Sequence, residues 1–228
     1  VGLFAIGEIP TGSTDPFALR RSAIGIINII RKTGWKFNLN EVIETSLYEY
    51  INDLGLTFDH EEVIANIREF FFGRIKTMLQ EEGIRYDIID AVLIPESEIY
   101  NIFEKAKELN EWFKDDRTNF VDAYNRINNL TKDINFTEID EELLKEDAEK
   151  NLYNKFVEND KKFKEGLASE NYKDAMDALN DLVPSIDAFF DSVMVMAEDE
   201  NIRHNRLALI NSIEENIQKI LKIENIVE

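Results

Sequence analysis

An all-α fold is what this sequence predicts, and three observations carry the prediction. Apolar residues recur three and four positions apart, the helical period, almost throughout the 228 residues. Prolines stand only at 10, 16, 95 and 184, so none interrupts the chain from Phe17 to Ile94. Period-two alternation appears only in Val193-Met194-Val195-Met196, and that short run reads better as helix.

The elements follow in order. The first helix is expected to open at Asp15-Pro16. An Asp there accepts from the orphan N–H groups of the first turn, and proline fits the first helical position, where its missing donor is no loss. Phe17, Ala18 and Leu19, then Ile24, Ile27 and Ile30, supply its apolar face, and Gly34 suits a left-handed C-terminal cap after Arg31 and Lys32. Asn38-Leu39-Asn40-Glu41 and Thr57-Phe58-Asp59-His60 read as two further starts, with Gly83 closing the second. Ile64, Ile67, Phe71, Ile75 and Met78 line one helix face. Ile99, Ile102, Ala106, Leu109 and Phe113 line another after a start at Pro95-Glu96-Ser97. Phe120, Tyr124 and Ile127 continue the pattern, as do Leu144, Ala148, Leu152 and Phe156, and finally Ile210, Ile213, Ile217 and Ile220. Polar breaks fall at Asp133 to Asp140 and at Ser169-Glu170-Asn171. Met194, Met196, Leu207 and Ile210 are expected in the core. A domain boundary is expected near Thr57, giving residues 1–57 and 58–228.

Composition narrows the class. Apolar residues make up 44% of the chain, too many for a disordered polymer. There is no Cys, so disulfides and thiolate zinc sites are excluded. No apolar run approaches the ~20 residues of a membrane-spanning helix, and the start lacks a basic signal-peptide region. Opening on VGLFAIGEIP, the chain reads as a C-terminal fragment of something longer. Its formal charge of −20, from 46 acidic and 26 basic residues, opposes general nucleic-acid binding. Any RNA contact has to be local and has to overcome that repulsion.

Little here resembles catalytic machinery. The two histidines, His60 and His204, are isolated from one another, and His60 between Asp59 and Glu61 reads as a helix-start residue. Glu198-Asp199-Glu200 reads as an exposed acidic turn rather than a metal site. No P-loop, nucleophile elbow or dinucleotide fingerprint occurs. Neither catalytic nor metal-binding residues are therefore assigned. Recognition chemistry is better represented. Arg85-Tyr86 and the run Tyr124-Asn125-Arg126-Ile127-Asn128-Asn129 interleave guanidinium, aromatic and carboxamide groups, the types that stack on and hydrogen-bond to unpaired bases. Tyr124 and Ile127 fall on the apolar face, whereas Arg126 and Asn129 lie off it. Arg20 and Arg21 read either as solvated positions or as contacts to a neighbouring domain.

Several strings together resemble one family. Ile9 to Arg31, IPTGSTDPFALRRSAIGIINIIR, resembles PTGSxDPFALRRxAxGIIxI, a signature of the beta subunit of the bacterial two-subunit glycine–tRNA ligase. Phe70-Phe71-Phe72-Gly73-Arg74, Gly83 and Asp87-Ile88-Ile89-Asp90-Ala91-Val92 resemble that family's F-F-x-x-R…G…D-x-I-D-A-V. Arg126-Ile127-Asn128-Asn129 resembles R-x-x-N-I, with Leu130 in place of Ile. Phe189-Phe190-Asp191, Val193 to Met196 and Asn205-Arg206-Leu207-Ala208-Leu209 resemble F-F-D-x-V-M-V-M…N-R-L-x-L. The resemblance implies a helical anticodon-binding domain similar to that of arginine–tRNA ligases, preceded by the helical tail of a domain similar to the HD phosphohydrolases without its metal ligands. It implies recognition of tRNA(Gly), with Arg74, Arg85, Tyr86, Arg126, Asn128, Asn129, Arg203 and Arg206 as candidate tRNA-binding residues. It further implies a cytoplasmic α2β2 enzyme whose alpha subunit binds ATP and glycylates the tRNA, this fragment being non-catalytic and holding no cofactor. The residue chemistry also admits an acidic helical scaffold for protein partners, and a degenerate phosphohydrolase less readily.

Overall fold

The computed structural model describes residues 1–227, the side chain of residue 54 aside. Among the described residues there are eleven α-helices and no strand, only a lone bridge between Thr11 and Thr14 in a tight turn. The chain forms two compact units, Val1–Lys107 and Glu108–Glu228, divided within one helix.

The first unit contains α1 (Gly2–Ala5), α2 (Leu19–Thr33), α3 (Leu39–Leu54), α4 (His60–Glu81), α5 (Tyr86–Val92) and the start of α6 (Ile99–Trp112). The long α4 is its spine, and α1, α2, α3 and α5 all pack on it. Ile64, Ile67, Phe71, Ile75 and Leu79 of α4 are buried, along with Ile27 and Ile30 of α2 and Ile43 and Leu47 of α3. Helix ends are set largely as the sequence implies. The Asn38 side chain accepts from Asn40 N at 2.8 Å and that of Asp59 from Glu62 N at 3.0 Å. Gly34, at φ +67°, donates its N–H to Ile30 O.

Two local expectations need correction here. α2 begins at Leu19, not at Pro16, and Ala18 stands before it in the left-handed region at φ +54°. The reason is the reach of Asp15. Its carboxylate spans the intervening turn and takes the N–H groups of Leu19 and Arg20, at 2.8 and 3.0 Å, so it caps from outside the helix. The division also falls at Lys107/Glu108 rather than near Thr57. α3 and α4 flank Thr57 and pack against each other, so the contacts that define the first unit cross that point.

The second unit contains the end of α6, then α7 (Thr118–Thr131), α8 (Asp147–Ala168), α9 (Tyr172–Asn180), α10 (Val183–Ser192) and α11 (Glu200–Gln218), with 3-10 turns at Glu141–Leu143 and Ile223–Asn225. α8 and α9 form a tight hairpin in which a Cβ on Gly166 would meet Ala175 N at 2.8 Å. α7, α8, α10 and α11 surround a core that includes Phe120, Tyr124, Phe163, Ile186, Phe189 and Ile213. Between α10 and α11 the segment Val193–Asp199 is not helical, contrary to the reading of its first four residues. It leaves α10 extended at Val193 and bends at 195–196 and 198–199, with Val193 and Val195 buried while Met194 and Met196 are 73% and 58% exposed. The alternation in the sequence marks the inside and the outside of this strap. Met194 and Met196 are therefore outside the core, and Leu207 and Ile210 are inside it.

Candidate nucleic-acid interface

α7 separates its two faces cleanly. Tyr124 and Ile127 are fully buried, and the Tyr124 hydroxyl donates to Leu179 O at 2.9 Å. Burial, then the nearby Glu214, push that phenol well above its ordinary range. Arg126 and Asn129 point outward, as their position off the apolar stripe implies. The Arg126 guanidinium lies 4.5 Å over the Phe190 ring and reaches Asp187 at 3.4 Å and Asp191 at 3.9 Å. The result is a partly shielded planar cation on an aromatic support, with Asn129 one helical step along. Such a pair offers a stacking plane and a two-way hydrogen-bonding amide. The sequence reading missed Phe190, Asp187 and Asp191 as neighbours of Arg126, because α10 supplies them across the bundle. The Phe189-Phe190-Asp191 triplet carried one signal: successive aromatics cannot both face a helix core.

Three of the other candidates in this unit have different surroundings. Asn128 is buried, so it does not present its amide to a ligand. Arg206 is buried as well, its Nε paired with the equally buried Glu149 and its Nη1 donating to Met194 O at 2.7 Å. Glu149 also accepts from Lys145 N and Glu146 N, at 2.6 and 2.8 Å, capping α8. Arg206 thus ties α11, the start of α8 and the strap together, and its place as a recognition residue is corrected to a structural one. Its position was legible: Arg206, Ile210, Ile213 and Ile217 share a helix face. Asn205 beside it clamps Asp140, accepting from its N–H at 2.7 Å and donating to its carbonyl at 3.0 Å. Arg203 is half-buried, donating to Ala197 O at 3.0 Å and pairing with Glu200 at 3.5 Å.

The first unit holds Arg74, Arg85 and Tyr86. Arg85 grips the buried Asp87 carboxylate at 2.6 Å, and Tyr86 beside it is exposed. Arg74 stacks on Phe70 at 4.0 Å and donates to Phe70 O at 2.7 Å. Partial burial, then the charge of Arg20, lower its pKa from the usual arginine value. Arg74 lines a cleft of about 580 Å³ with Ile9, Pro10, Asn66, Gly73 and Leu93, and the cleft also contains the Lys76–Asp90 ion pair. Among the described residues no three His, Asp or Glu side chains converge as a metal-ligating group.

Comparison with known proteins joins this geometry to a class. Residues 97–227 match the family model described as the DALR anticodon binding domain, and the chain belongs to that class over more than half its length. Residues 1–94 match the model of the glycyl-tRNA synthetase beta subunit, which places the chain in that family in particular. It is 41% identical over 228 residues to the glycine–tRNA ligase beta subunit of Clostridioides difficile, covering 99% of this chain and 33% of that protein. It is 34% identical over 229 residues to the one from Syntrophomonas wolfei, covering 100% of this chain and 33% of the relative. The beta subunit of Methylobacillus flagellatus is 33% identical over 230 residues, with 99% and 32% covered. The chain therefore spans about a third of the length of these relatives. No described helix is long and apolar enough to cross a membrane.

Proposed function

We propose that this chain serves tRNA(Gly) recognition in a cytoplasmic glycine–tRNA ligase, its second unit reading the anticodon region. The observation that carries the reading is the outward pair Arg126 and Asn129, with Arg126 set over Phe190, in a domain of the DALR anticodon-binding class. Glycylation itself, with ATP and glycine, belongs in this reading to the alpha subunit of an α2β2 assembly. The chain contributes remote binding energy that orients the acceptor end, which accelerates the reaction without chemistry of its own. Arg74, Arg85, Tyr86 and Arg203 remain candidates for further RNA contacts.

The test is binding of the full-length protein to tRNA(Gly) carrying native and substituted anticodons. Asn129→Ala is expected to relax discrimination, by ~1–3 kcal/mol if the amide makes a bidentate base contact. Arg126→Ala is expected to weaken all tRNAs alike and to flatten the salt dependence. A second reading, an acidic scaffold for basic protein partners, draws support from Asp187 and Asp191 flanking Arg126. Equal affinity of wild type and both variants for every tRNA would favour it.

A further inference from the structure

From Pro16 to Asn40 the sequence contains no Asp or Glu, although the chain as a whole carries 46. That acid-free stretch is α2 and its flanks, with Arg20, Arg21, Arg31, Lys32 and Lys36. α2 packs on α4, whose segment Phe70 to Gln80 is also free of acids and contributes Arg74 and Lys76. Within this region Arg31 pairs with Glu82 and Lys76 with Asp90, and beyond it Arg85, Arg117, Arg126, Lys173 and Arg206 each have a carboxylate partner. Arg21 and Lys32, both exposed, have none among the described residues. Arg20 and Arg74 direct their guanidinium groups to the carbonyls of Gly12 and Phe70 rather than to carboxylates.

Helical spacing arranges the free charges. Arg21, Gly25, Asn28 and Lys32 stand at i, i+4, i+7 and i+11 and share the face of α2 opposite the buried Ala23, Ile27 and Ile30. The stripe is about 16 Å long at the helical rise. A Cβ on Gly25 would meet nothing within 4 Å, so its absence serves no internal packing and leaves a ligand's backbone free to approach the helix. Exposed cations concentrated on one face of an otherwise acidic protein are the electrostatic footprint of a polyanion.

We propose that the Arg21–Lys32 stripe of α2, with Arg20 and Arg74 at its N-terminal end, grips the sugar–phosphate backbone of the tRNA outside the anticodon loop. This rests on the reading of the chain as a tRNA-recognition module but uses a different unit. A backbone contact fixes where the RNA lies and carries no sequence information, whereas the α7 face supplies discrimination. The stripe also gives this acidic protein the local attraction that RNA binding requires.

The experiment compares the full-length protein with Arg21→Gln, Lys32→Gln and the double variant, using tRNA(Gly) with native and substituted anticodons over a salt series. Both positions are exposed, and an unchanged urea midpoint confirms the fold. The slope of log K against log salt is expected to fall by about 0.7–0.9 for each side chain removed. Affinity is expected to drop equally, within about twofold, on every tRNA, leaving the anticodon discrimination ratio unchanged. An unchanged slope and affinity would overturn the proposal and leave the stripe to an acidic protein surface. A loss confined to the native anticodon would also overturn it. If the wild type fails to discriminate anticodons while the slope still falls, the α7 reading fails and the stripe stands.

Discussion

The two units treat charge and apolar surface in opposite ways. In the second unit the arginines are absorbed: Arg206 is sealed against Glu149, Arg203 braces the strap, and Arg126 is held between Asp187 and Asp191. In the first unit α2 leaves cations without carboxylates, and Ile26, Ile29, Trp35 and Tyr48 stand exposed. A bundle that has closed on itself draws its charged groups into its own scaffold. A unit with one spine helix and thin cover keeps two α2 cations, Arg21 and Lys32, and several isoleucines available to something else.

Substitutions can break that contrast. The largest effect is expected at Arg206→Ala, which strands the buried Glu149 carboxylate and should cost ~3–5 kcal/mol in urea unfolding. Arg21→Gln in the first unit should change the midpoint negligibly, and a comparable loss there would end the distinction. Leu207→Ala, at a position 8% exposed, should destabilise by ~2–5 kcal/mol. The matching change in α2, Ile29→Ala, should fall within about 0.5 kcal/mol of zero, since surface substitutions usually do. Gly166→Ala comes next, at ~1–3 kcal/mol, because a methyl there collides with the Ala175 backbone and forces α8 and α9 apart.

The smallest effect depends on pH. Burial raises Glu214 to about 7 from 4.5, against a weaker opposing hydrogen bond from Gln218, and its Oε2 has no hydrogen-bond partner. The folded state thus holds a proton that the unfolded chain has already released between these two values. Stability contributed by the neutral carboxyl is full below about 4.5 and is lost as pH rises to about 7. Lys105, lowered to about 8 by burial, titrates above that window. Melting temperatures at pH 5 and pH 8 should differ less for Glu214→Gln than for wild type. An equal difference in both proteins would remove Glu214 as the cause.

The same contrast explains what the sequence made legible. Helix phase was readable wherever an apolar stripe meets a local cap, as at Asn38 and Asp59, because both signals lie within a few residues. The start of α2 was misplaced since Asp15 caps across a turn that spacing alone does not reveal. Val193 to Met196 is too short for periodicity to separate strap from helix, although its alternation was literal. At the candidate interface, the outward aim of Arg126 and Asn129 followed from phase. The platform beneath Arg126 did not, because Phe190 arrives from a helix distant in sequence. Arg206 was misassigned through residue type, although its place on the Ile210 and Ile213 stripe pointed inward.

The strap also has a chemical consequence. Its backbone is held by Arg206 at Met194 O and by Arg203 at Ala197 O, while the thioethers of Met194 and Met196 project into solvent. Peroxide can reach those two sulfurs, whereas Met176 is wholly enclosed in the bundle. Conversion to sulfoxide at 194 and 196 makes the side chains polar without opening the core, a surface change that methionine sulfoxide reductases can reverse. Methionine oxidation in the second unit therefore begins at this exposed edge rather than in its packing.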